Sequence, residues 1–188
     1  MKKFFFLITF VALSILGIYA QDNSKQLVIT ESYLDSKNQE FWIEVFNPTD
    51  EELILNSFRI SGVRTLNILP PEVRRQNGIR MKPGEHLIIC SDAKYLTAKY
   101  GSNINILEVK LLKIAGKGGF IAINNLDNIE KRGKIIRFGE KEKSAKVANI
   151  VGDNEVLVIS NDGMSYSREI KKSGEITAWS KTIPTPGK

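Results

Sequence analysis

The sequence predicts an all-β protein, a two-sheet sandwich of about nine strands with one short helix. Short runs rich in β-branched and aromatic residues recur along the chain, and turn-forming residues separate them at fairly even intervals. Hydrophobic residues make up 42% of the 188 residues, which is enough for the core of one domain. The sequence has no internal repeat and no low-complexity tract, so we expect a leader followed by a single domain.

The first twenty residues predict a secretory signal peptide. Lys2 and Lys3 precede an uncharged apolar run from Phe4 to Tyr19, and Ala20 offers a small residue for cleavage. The run is shorter than the about 20 residues that a membrane span needs, although an uncleaved N-terminal anchor is the alternative. We therefore expect residues 21–188 to be exported to the periplasm, the outer surface or the medium.

The first predicted strands lie between residues 27 and 60. Leu27–Thr30 is a short β-branched strand, and Tyr33–Gln39 is polar and turn-like. Glu40–Phe46 and Leu53–Ile60 predict two strands joined by a polar turn, because large apolar side chains alternate along both. The alternation is imperfect at Asn56 and Ser57, which predicts a bulge there.

The middle of the chain predicts a long loop, a strand and the helix. Leu66–Gly84 contains several turn signals and is expected to be an irregular surface excursion. Glu85–Cys90 predicts a strand. A helix is expected over Ala93–Tyr100, with Ser91 or Asp92 as its N-cap and Gly101 closing its C-terminus.

The second half predicts two hairpins and a further strand. Gly116–Gly119 is expected to be a flexible turn between extended segments, because a phosphate-binding glycine loop would need a following helix. Asn161–Gly163 marks the other hairpin. The predicted strands are Ile106–Ile114, Phe120–Ile123, Lys134–Phe138, Glu155–Ser160 and Met164–Ile170.

Basic residues are concentrated in two segments, although the net charge of +6 is modest. Arg64–Lys82 and Glu130–Lys146 each carry a clear excess of lysine and arginine over acidic residues. One interpretation is that they are solvated loops or edge strands, where lysine opposes aggregation. The other is a polyanion-binding surface for extracellular DNA or acidic polysaccharide. Its candidate contacts are Arg64, Arg74, Arg75, Lys131, Arg132, Lys134 and Arg137.

The sequence offers few residues for chemistry, and we expect no catalytic centre, cofactor or metal site. The single cysteine, Cys90, cannot form an intramolecular disulfide and lies in an apolar strand, where a buried thiol is expected. The single histidine, His86, is four residues away on the same predicted strand. That spacing corresponds to about 13 Å, which prevents direct proton transfer between the two side chains.

Six segments together resemble the lamin tail domain. Trp42–Pro48 is similar to that family's strand of the form W/Y-I-E-L-x-N, and Lys82–Ile89 is similar to its L-x-P-G-E strand entry. Two departures stand out, since Ser57 replaces the family's glycine and Asn103–Lys146 matches poorly. The remaining segments that match in order are Leu27–Glu31, Leu53–Ile60, Gly152–Gly163, and Trp179 with Pro184–Gly187.

The resemblance implies an immunoglobulin-like sandwich and a non-enzymatic binding role. Bacterial lamin tail proteins with signal peptides are extracellular or envelope modules, whereas animal members bind chromatin and envelope proteins. We therefore expect an exported bacterial module that binds a protein or cell-surface partner. The residues at family signature positions, expected to be structural, are Glu31, Trp42, Glu44, Asn47, Pro83, Gly84, Trp179, Pro186 and Gly187.

Alternatives remain open for four of these residues. Glu31 and Glu44 either accept hydrogen bonds within the sheet or form an acid–base or metal-binding pair. A hydrolase would require one of them to line an open cleft with a second titratable group within reach. Trp42 and Trp179 either form a sugar-stacking platform or anchor the core.

Overall fold

A computed structural model of the protein describes residues 27–35, 40–56, 58–60, 69–109, 118–123, 135–139, 156–157, 162–171 and 175–188. Strands dominate these residues, which confirms a β-rich fold. The described residues contain two helices where one was predicted, and twelve strands where about nine were predicted. The helices are α1 (Pro71–Arg75) and α2 (Ala93–Tyr100). The strands are β1 (Val28–Asp35), β2 (Glu40–Phe46), β3 (Leu53–Leu55), β4 (Phe58–Ile60), β5 (Ile79–Met81), β6 (His86–Cys90), β7 (Ile106–Glu108), β8 (Gly118–Ile123), β9 (Ile135–Gly139), β10 (Val156–Leu157), β11 (Ser165–Ser167) and β12 (Ser180–Thr182).

The strands of the described residues form three sheets. A six-stranded sheet has the order β12-β11-β1-β2-β6-β7, in which only the β6–β7 pair is parallel. A four-stranded sheet has the order β10-β9-β8-β4, with β9 and β10 parallel. Strands β3 and β5 form an antiparallel pair of their own. The six-stranded sheet therefore joins segments from both ends of the domain.

The first strand is longer than predicted. The turn expected over Tyr33–Gln39 is wrong at its start, because β1 continues to Asp35 and pairs with β2 along the whole length of β2. Tyr33 is buried and its ring stacks on Trp42, with the centroids 5.7 Å apart. This tertiary contact holds residues in a strand that local polarity assigns to a turn.

The strand predicted over Leu53–Ile60 is two strands in different sheets. Strand β3 pairs with β5 and strand β4 pairs with β8, so neither lies beside β2. The prediction of one strand with a bulge is therefore wrong, because the chain passes from one sheet to another between Leu55 and Phe58. The predicted loop Leu66–Gly84 also contains regular structure, namely α1 and β5.

Both predicted hairpins are wrong in their pairing. Strand β8 lies between β4 and β9, whereas β7 belongs to the other sheet. Strand β10 is parallel to β9, and β11 lies between β1 and β12. Gly118 and Gly119, which were predicted to be in a turn, belong to β8, and the packing of distant segments decides which strands are its partners.

The predictions for β6, β9 and α2 are confirmed. Strand β9 is displaced by one residue from the predicted strand Lys134–Phe138. Helix α2 has its predicted bounds, Asp92 accepts a hydrogen bond from the Tyr95 main-chain N–H at 2.9 Å, and Gly101 follows with a φ of 95°. No helix in the described part of the chain combines the length and the apolar character needed to cross a membrane.

Apolar residues bury both faces of the six-stranded sheet. On one face, Ile43, Val45 and Ile89 pack with residues of the β3–β5 pair, among them Leu55 and Met81. On the other face, Trp42, Ile88 and Cys90 pack beneath α2. Alternation along β2 and β6 sends successive side chains to these two clusters.

A bulge at Thr30 moves β1 from one face to the other. Ile29 is opposite Val45 and Glu31 is opposite Glu44, so two residues of β2 are matched by three of β1. Ile29 packs in the cluster with Val45, whereas Glu31 lies with Glu44 on the opposite face. In a regular strand without a bulge, Ile29 and Glu31 are two residues apart and would share a face.

Candidate functional site

Glu31 and Glu44 form a buried carboxylate pair at the centre of the six-stranded sheet. They are direct partners on β1 and β2, and each has only 2% of its surface exposed. Burial raises the pKa of Glu31 above its ordinary value, hydrogen bonds from Ser165 and Thr185 oppose this shift, and the nearby charge of Glu44 adds to it. Two acidic groups in this position require donors, because an unsatisfied buried carboxylate is costly.

The end of the chain supplies those donors. We call Pro184–Lys188 the C-terminal strap. The main-chain N–H of Thr185 donates to Glu31 Oε1 at 3.0 Å, and the main-chain N–H of Gly187 donates to Glu44 Oε2 at 2.7 Å. The strap therefore reaches from β12 across β1 to β2 on this face of the sheet.

Hydroxyl groups on the neighbouring strands complete the set of donors. The Ser165 hydroxyl on β11 donates to Glu31 Oε1. The Thr30 hydroxyl, on the bulge residue itself, donates to Glu44 Oε1 at 2.5 Å. The two carboxylates thus accept hydrogen bonds from side chains and main chain alike, which is the structural arrangement proposed for them from the sequence.

Close packing fixes the far end of the strap. Pro186 is buried, and Gly187 has a φ of 82°, a conformation that favours glycine. A Cβ atom at position 187 would lie 2.8 Å from Cγ2 of Ile104, in the loop before β7. Pro186 and Gly187 therefore hold the end of the strap in close contact with the rest of the fold.

An open cleft of about 370 Å³ lies beside the strap and contains the only histidine. His86 Nδ1 is 3.0 Å from Glu44 Oε1 but forms no hydrogen bond with it. The Phe46 ring lies against the imidazole with the centroids 4.4 Å apart. The cleft is also lined by Glu31, Glu44, Arg168 and Lys188. The arrangement that the hydrolase alternative requires, a carboxylate at an open cleft with a second titratable group nearby, is therefore present at Glu44 and His86.

Asn47 joins three segments of chain at the end of β2. It is fully buried, and its amide Nδ2 donates to the carbonyls of Glu51 at 2.8 Å and Met81 at 2.9 Å. Its Oδ1 accepts from the main-chain N–H and the hydroxyl of Thr49. The Gly84 N–H donates to the Asn47 carbonyl at 2.9 Å, so the Pro83–Gly84 turn is held to the same residue.

The two tryptophans lie on different sides of the sheet. Trp42 is 1% exposed and packs with Tyr33 beneath α2. Trp179 packs at the edge of the opposite cluster, with the Arg168 guanidinium 4.3 Å above its ring. The alternative of a shared sugar-stacking platform is therefore wrong, and both rings are packed within the fold.

The structure describes three of the seven candidate polyanion contacts. Arg74 and Arg75 are exposed at the end of α1, and Arg137 lies in β9 of the four-stranded sheet. The other candidates, Arg64, Lys131, Arg132 and Lys134, lie outside the described residues.

Cys90 is a buried thiol. It is 1% exposed, and burial raises its pKa to about 12. Within the described ranges, no three His, Cys, Asp or Glu side chains are placed so that they could hold a metal ion.

No family model, curated protein or solved structure matches this chain. The main features that sequence reasoning missed are the strap as partner of the carboxylates and the position of His86 beside Glu44. The strap carries the predicted Pro-Thr-Pro-Gly motif, but nothing in the sequence identifies what it contacts. The His86–Glu44 contact depends on the β2–β6 register, in which Phe46 is opposite His86 and Glu44 is opposite Ile88.

Proposed function

We propose that this chain is an exported, immunoglobulin-like β-sandwich of the lamin tail type that binds a protein or cell-surface partner and catalyses no reaction. The observation that carries the proposal is the contact of the carboxylate pair with the C-terminal strap. Glu31 accepts a hydrogen bond from a residue 154 positions later, and both residues belong to segments on which the resemblance rests. Residues that hold the two ends of a domain together can recur among proteins of one fold without those proteins catalysing the same reaction.

The proposed sandwich architecture is supported by the apolar face of the six-stranded sheet. A sandwich needs two sheets that enclose one core. The six-stranded sheet has an apolar face that the β3–β5 pair covers in part, through Leu55 and Met81. We propose that the four-stranded sheet completes the cover, since β4 follows β3 after only two residues.

The absence of catalysis is supported by the way the carboxylates are used. A general acid or base must have its proton-carrying oxygen within reach of a substrate. Both oxygens of Glu31 accept hydrogen bonds from the strap, and Glu44 is held by Thr30 and Gly187. The two groups that look most reactive in the sequence therefore serve to close the fold.

The first experiment tests export and binding together. The full chain is expressed from its own leader, and the intact mass of the exported protein is expected to correspond to a start at Gln21. The labelled exported protein is then added to intact cells of the source organism, where we expect saturable binding that excess unlabelled protein removes. Protease treatment of the cells distinguishes a protein partner from a polysaccharide one.

Turnover that depends on the cleft would contradict the proposal. Esters, phosphodiesters and glycosides are offered to the wild type and to the His86→Asn variant, whose fold is checked by circular dichroism. We expect no difference between them. Hydrolysis by the wild type that His86→Asn abolishes, without saturable binding to cells, would make the cleft a catalytic site.

Polyanion binding is the alternative function, favoured by the exposed Arg74 and Arg75 on α1. It predicts retention on heparin and duplex DNA columns beyond about 0.3 M salt, because each phosphate contact releases counterions. Retention should fall in the Arg74→Glu/Arg75→Glu variant and when Lys131, Arg132 and Lys134 are changed to Glu. A Lys94→Glu/Lys171→Glu control alters the charge as much as the Arg74/Arg75 pair does, at residues outside the candidate contacts. Elution near the void volume would rule this function out.

A further inference from the structure

The ammonium group of Lys99 is surrounded by tyrosine rings. Its Nζ atom lies 5.2 Å from the ring centroid of Tyr33, 5.2 Å from that of Tyr95 and 5.3 Å from that of Tyr100. We call these three rings the tyrosine cage. A cation within about 6 Å of an aromatic ring is attracted by the negative potential of the ring face. Three such rings around one point form a site for a positive charge.

The fold holds the cage in place from two sides. Tyr33 is on β1, is 3% exposed and stacks on Trp42, so its ring belongs to the packed sheet. Tyr95 and Tyr100 are on α2, and Tyr100 meets Trp42 edge to face with the centroids 6.2 Å apart. The contacts of Tyr33 and Tyr100 with Trp42 do not involve Lys99, so we expect these two rings to keep their positions when the lysine moves.

An acidic cleft adjoins the cage. It has a volume of about 270 Å³ and is lined by Tyr95 and Trp42 together with the carboxylates of Glu40 and Asp92. Asp92 caps α2 through one oxygen. Glu40 forms no ion pair and no side-chain hydrogen bond with the described residues, so its charge faces the cleft without a partner there. The cleft therefore adds negative charge next to the aromatic rings.

We propose that the tyrosine cage and this cleft form a binding site for an organic cation with a quaternary or methylated ammonium group, and that Lys99 occupies the site when the ligand is absent. A primary ammonium is strongly hydrated and needs hydrogen-bond acceptors, and Lys99 Nζ donates to the Tyr95 hydroxyl at 2.9 Å. A methylated ammonium needs none and is the kind of cation that aromatic cages select.

Lys99 is exposed, so water can hydrate its ammonium group when a ligand displaces it. Its side chain lies on the solvent side of α2, and an exposed cation–π contact is weak. The lysine therefore weakens ligand binding by competition without closing the site. This inference does not depend on the proposed function, because it concerns a different part of the sheet face from the carboxylate pair.

The test is a titration of the exported protein with tetramethylammonium chloride at constant ionic strength, followed by the NMR shifts of the tyrosine rings. We expect saturable binding by the wild type. The Lys99→Met variant should bind more tightly by roughly 2- to 5-fold or more, since one exposed cation–π contact corresponds to that change and Lys99 contacts all three rings. Lys94→Met is the matched control, because it removes the same charge from the same helix away from the cage.

Two substitutions of Tyr95 separate the ring from its hydroxyl. Tyr95→Ala should abolish binding, whereas Tyr95→Phe should retain it because the ring remains and the hydrogen bond to Lys99 is lost. Equal thermal unfolding of the two variants shows that the fold is intact, and Tyr100→Ala replaces Tyr95→Ala if the latter unfolds. No saturation in either the wild type or Lys99→Met, or equal affinities in Lys99→Met and Lys94→Met, would overturn the proposal.

The source of the ammonium group is tested separately. Free choline and vesicles of phosphatidylcholine carry the same headgroup cation. Binding of choline alone would indicate a soluble ligand, and binding of both would indicate that a lipid headgroup also fits.

Discussion

Glu31 on β1 lies opposite Glu44 on β2 because Thr30 is an extra residue of β1 between Glu31 and the core residue Ile29. The bulge turns Glu31 away from the apolar cluster and towards Glu44. The hydroxyl of the same Thr30 then donates to Glu44. One inserted residue thus creates the carboxylate pair and supplies one of its donors, while the strap supplies the main-chain donors.

Two substitutions of Glu31 separate the contribution of its charge to stability from that of its hydrogen bonds. Glu31→Gln keeps an acceptor for Ser165 and the Thr185 N–H and offers a donor to the Thr185 hydroxyl, so we expect a change in unfolding free energy at pH 7 of no more than about 1 kcal/mol. Glu31→Ala leaves these donors buried and unsatisfied and should cost about 2–3 kcal/mol. Urea unfolding of both variants measures the difference. Equal losses would show that the charge is essential.

The same glutamate predicts a pH dependence of stability. Its pKa is raised in the folded protein, chiefly by burial, so the folded state holds this proton more tightly than the unfolded chain does. The contribution of Glu31 to stability is therefore full below the unfolded value of 4.5 and is lost as the pH rises through the folded pKa. Unfolding free energies of wild type and Glu31→Gln, measured from pH 4 to 8, should converge at the acidic end. A constant difference over that range would contradict the prediction.

Asn47 should tolerate a charge less well than the loss of its side chain. Its Nδ2 points at two carbonyl oxygens, those of Glu51 and Met81. Asn47→Asp places a carboxylate oxygen against both, and a buried unpaired charge costs about 3–5 kcal/mol. Asn47→Ala should cost less, about 2–3 kcal/mol, because it only removes the bonds. Chemical denaturation of the two variants at pH 7 gives the order. A more stable Asn47→Asp would show that the carbonyls have moved.

Local patterns were sufficient to predict the elements whose ends are set by neighbouring residues. Helix α2 has an Asp N-cap and a Gly at its end, and both act within one turn of the chain. The alternation in β2 identifies a strand with two buried faces. The burial of Cys90 and the turn at Asn47 also follow from the sequence around them.

The remaining features depend on contacts between distant segments. Strand β8 was predicted to pair with the strand before it along the chain, but it lies between β4 and β9. Tyr33 is in a strand because Trp42 stacks on it. The donors to the carboxylate pair come from Ser165 and Thr185, which no local pattern connects to β1 or β2. The sequence was therefore sufficient to predict the two acidic residues of the candidate site, but not the residues that donate hydrogen bonds to them.

Gly78 should be the least replaceable of the described glycines with positive φ. A Cβ atom there would lie 2.4 Å from the Leu55 carbonyl oxygen and 2.8 Å from the Asn56 Cα, both main-chain atoms that cannot rotate away. Gly163 is the control, since its φ of 77° is also positive but a Cβ atom would meet nothing within 4 Å. We expect Gly163→Ala to cost about 1 kcal/mol from backbone strain alone. Gly78→Ala should cost about 3 kcal/mol or more, measured by thermal unfolding, and equal costs would mean that the β3–β5 pair moves apart easily.

The Cys90 thiol should report unfolding of the whole domain. Its residue is 1% exposed beneath α2, and burial raises its pKa to about 12, so in the folded protein both access and the thiolate form are restricted. We expect 5,5′-dithiobis(2-nitrobenzoate) to leave the native protein unmodified at pH 8 and to label one thiol per chain after denaturation, since Cys90 is the only cysteine. At high reagent concentration and in low denaturant, the labelling rate should equal the unfolding rate measured by tryptophan fluorescence, because each opening then leads to modification. Labelling that is much faster than unfolding would show that α2 detaches from the sheet by itself. In that case the Leu96→Ala variant, which loosens only this helix, should accelerate labelling more than it accelerates global unfolding.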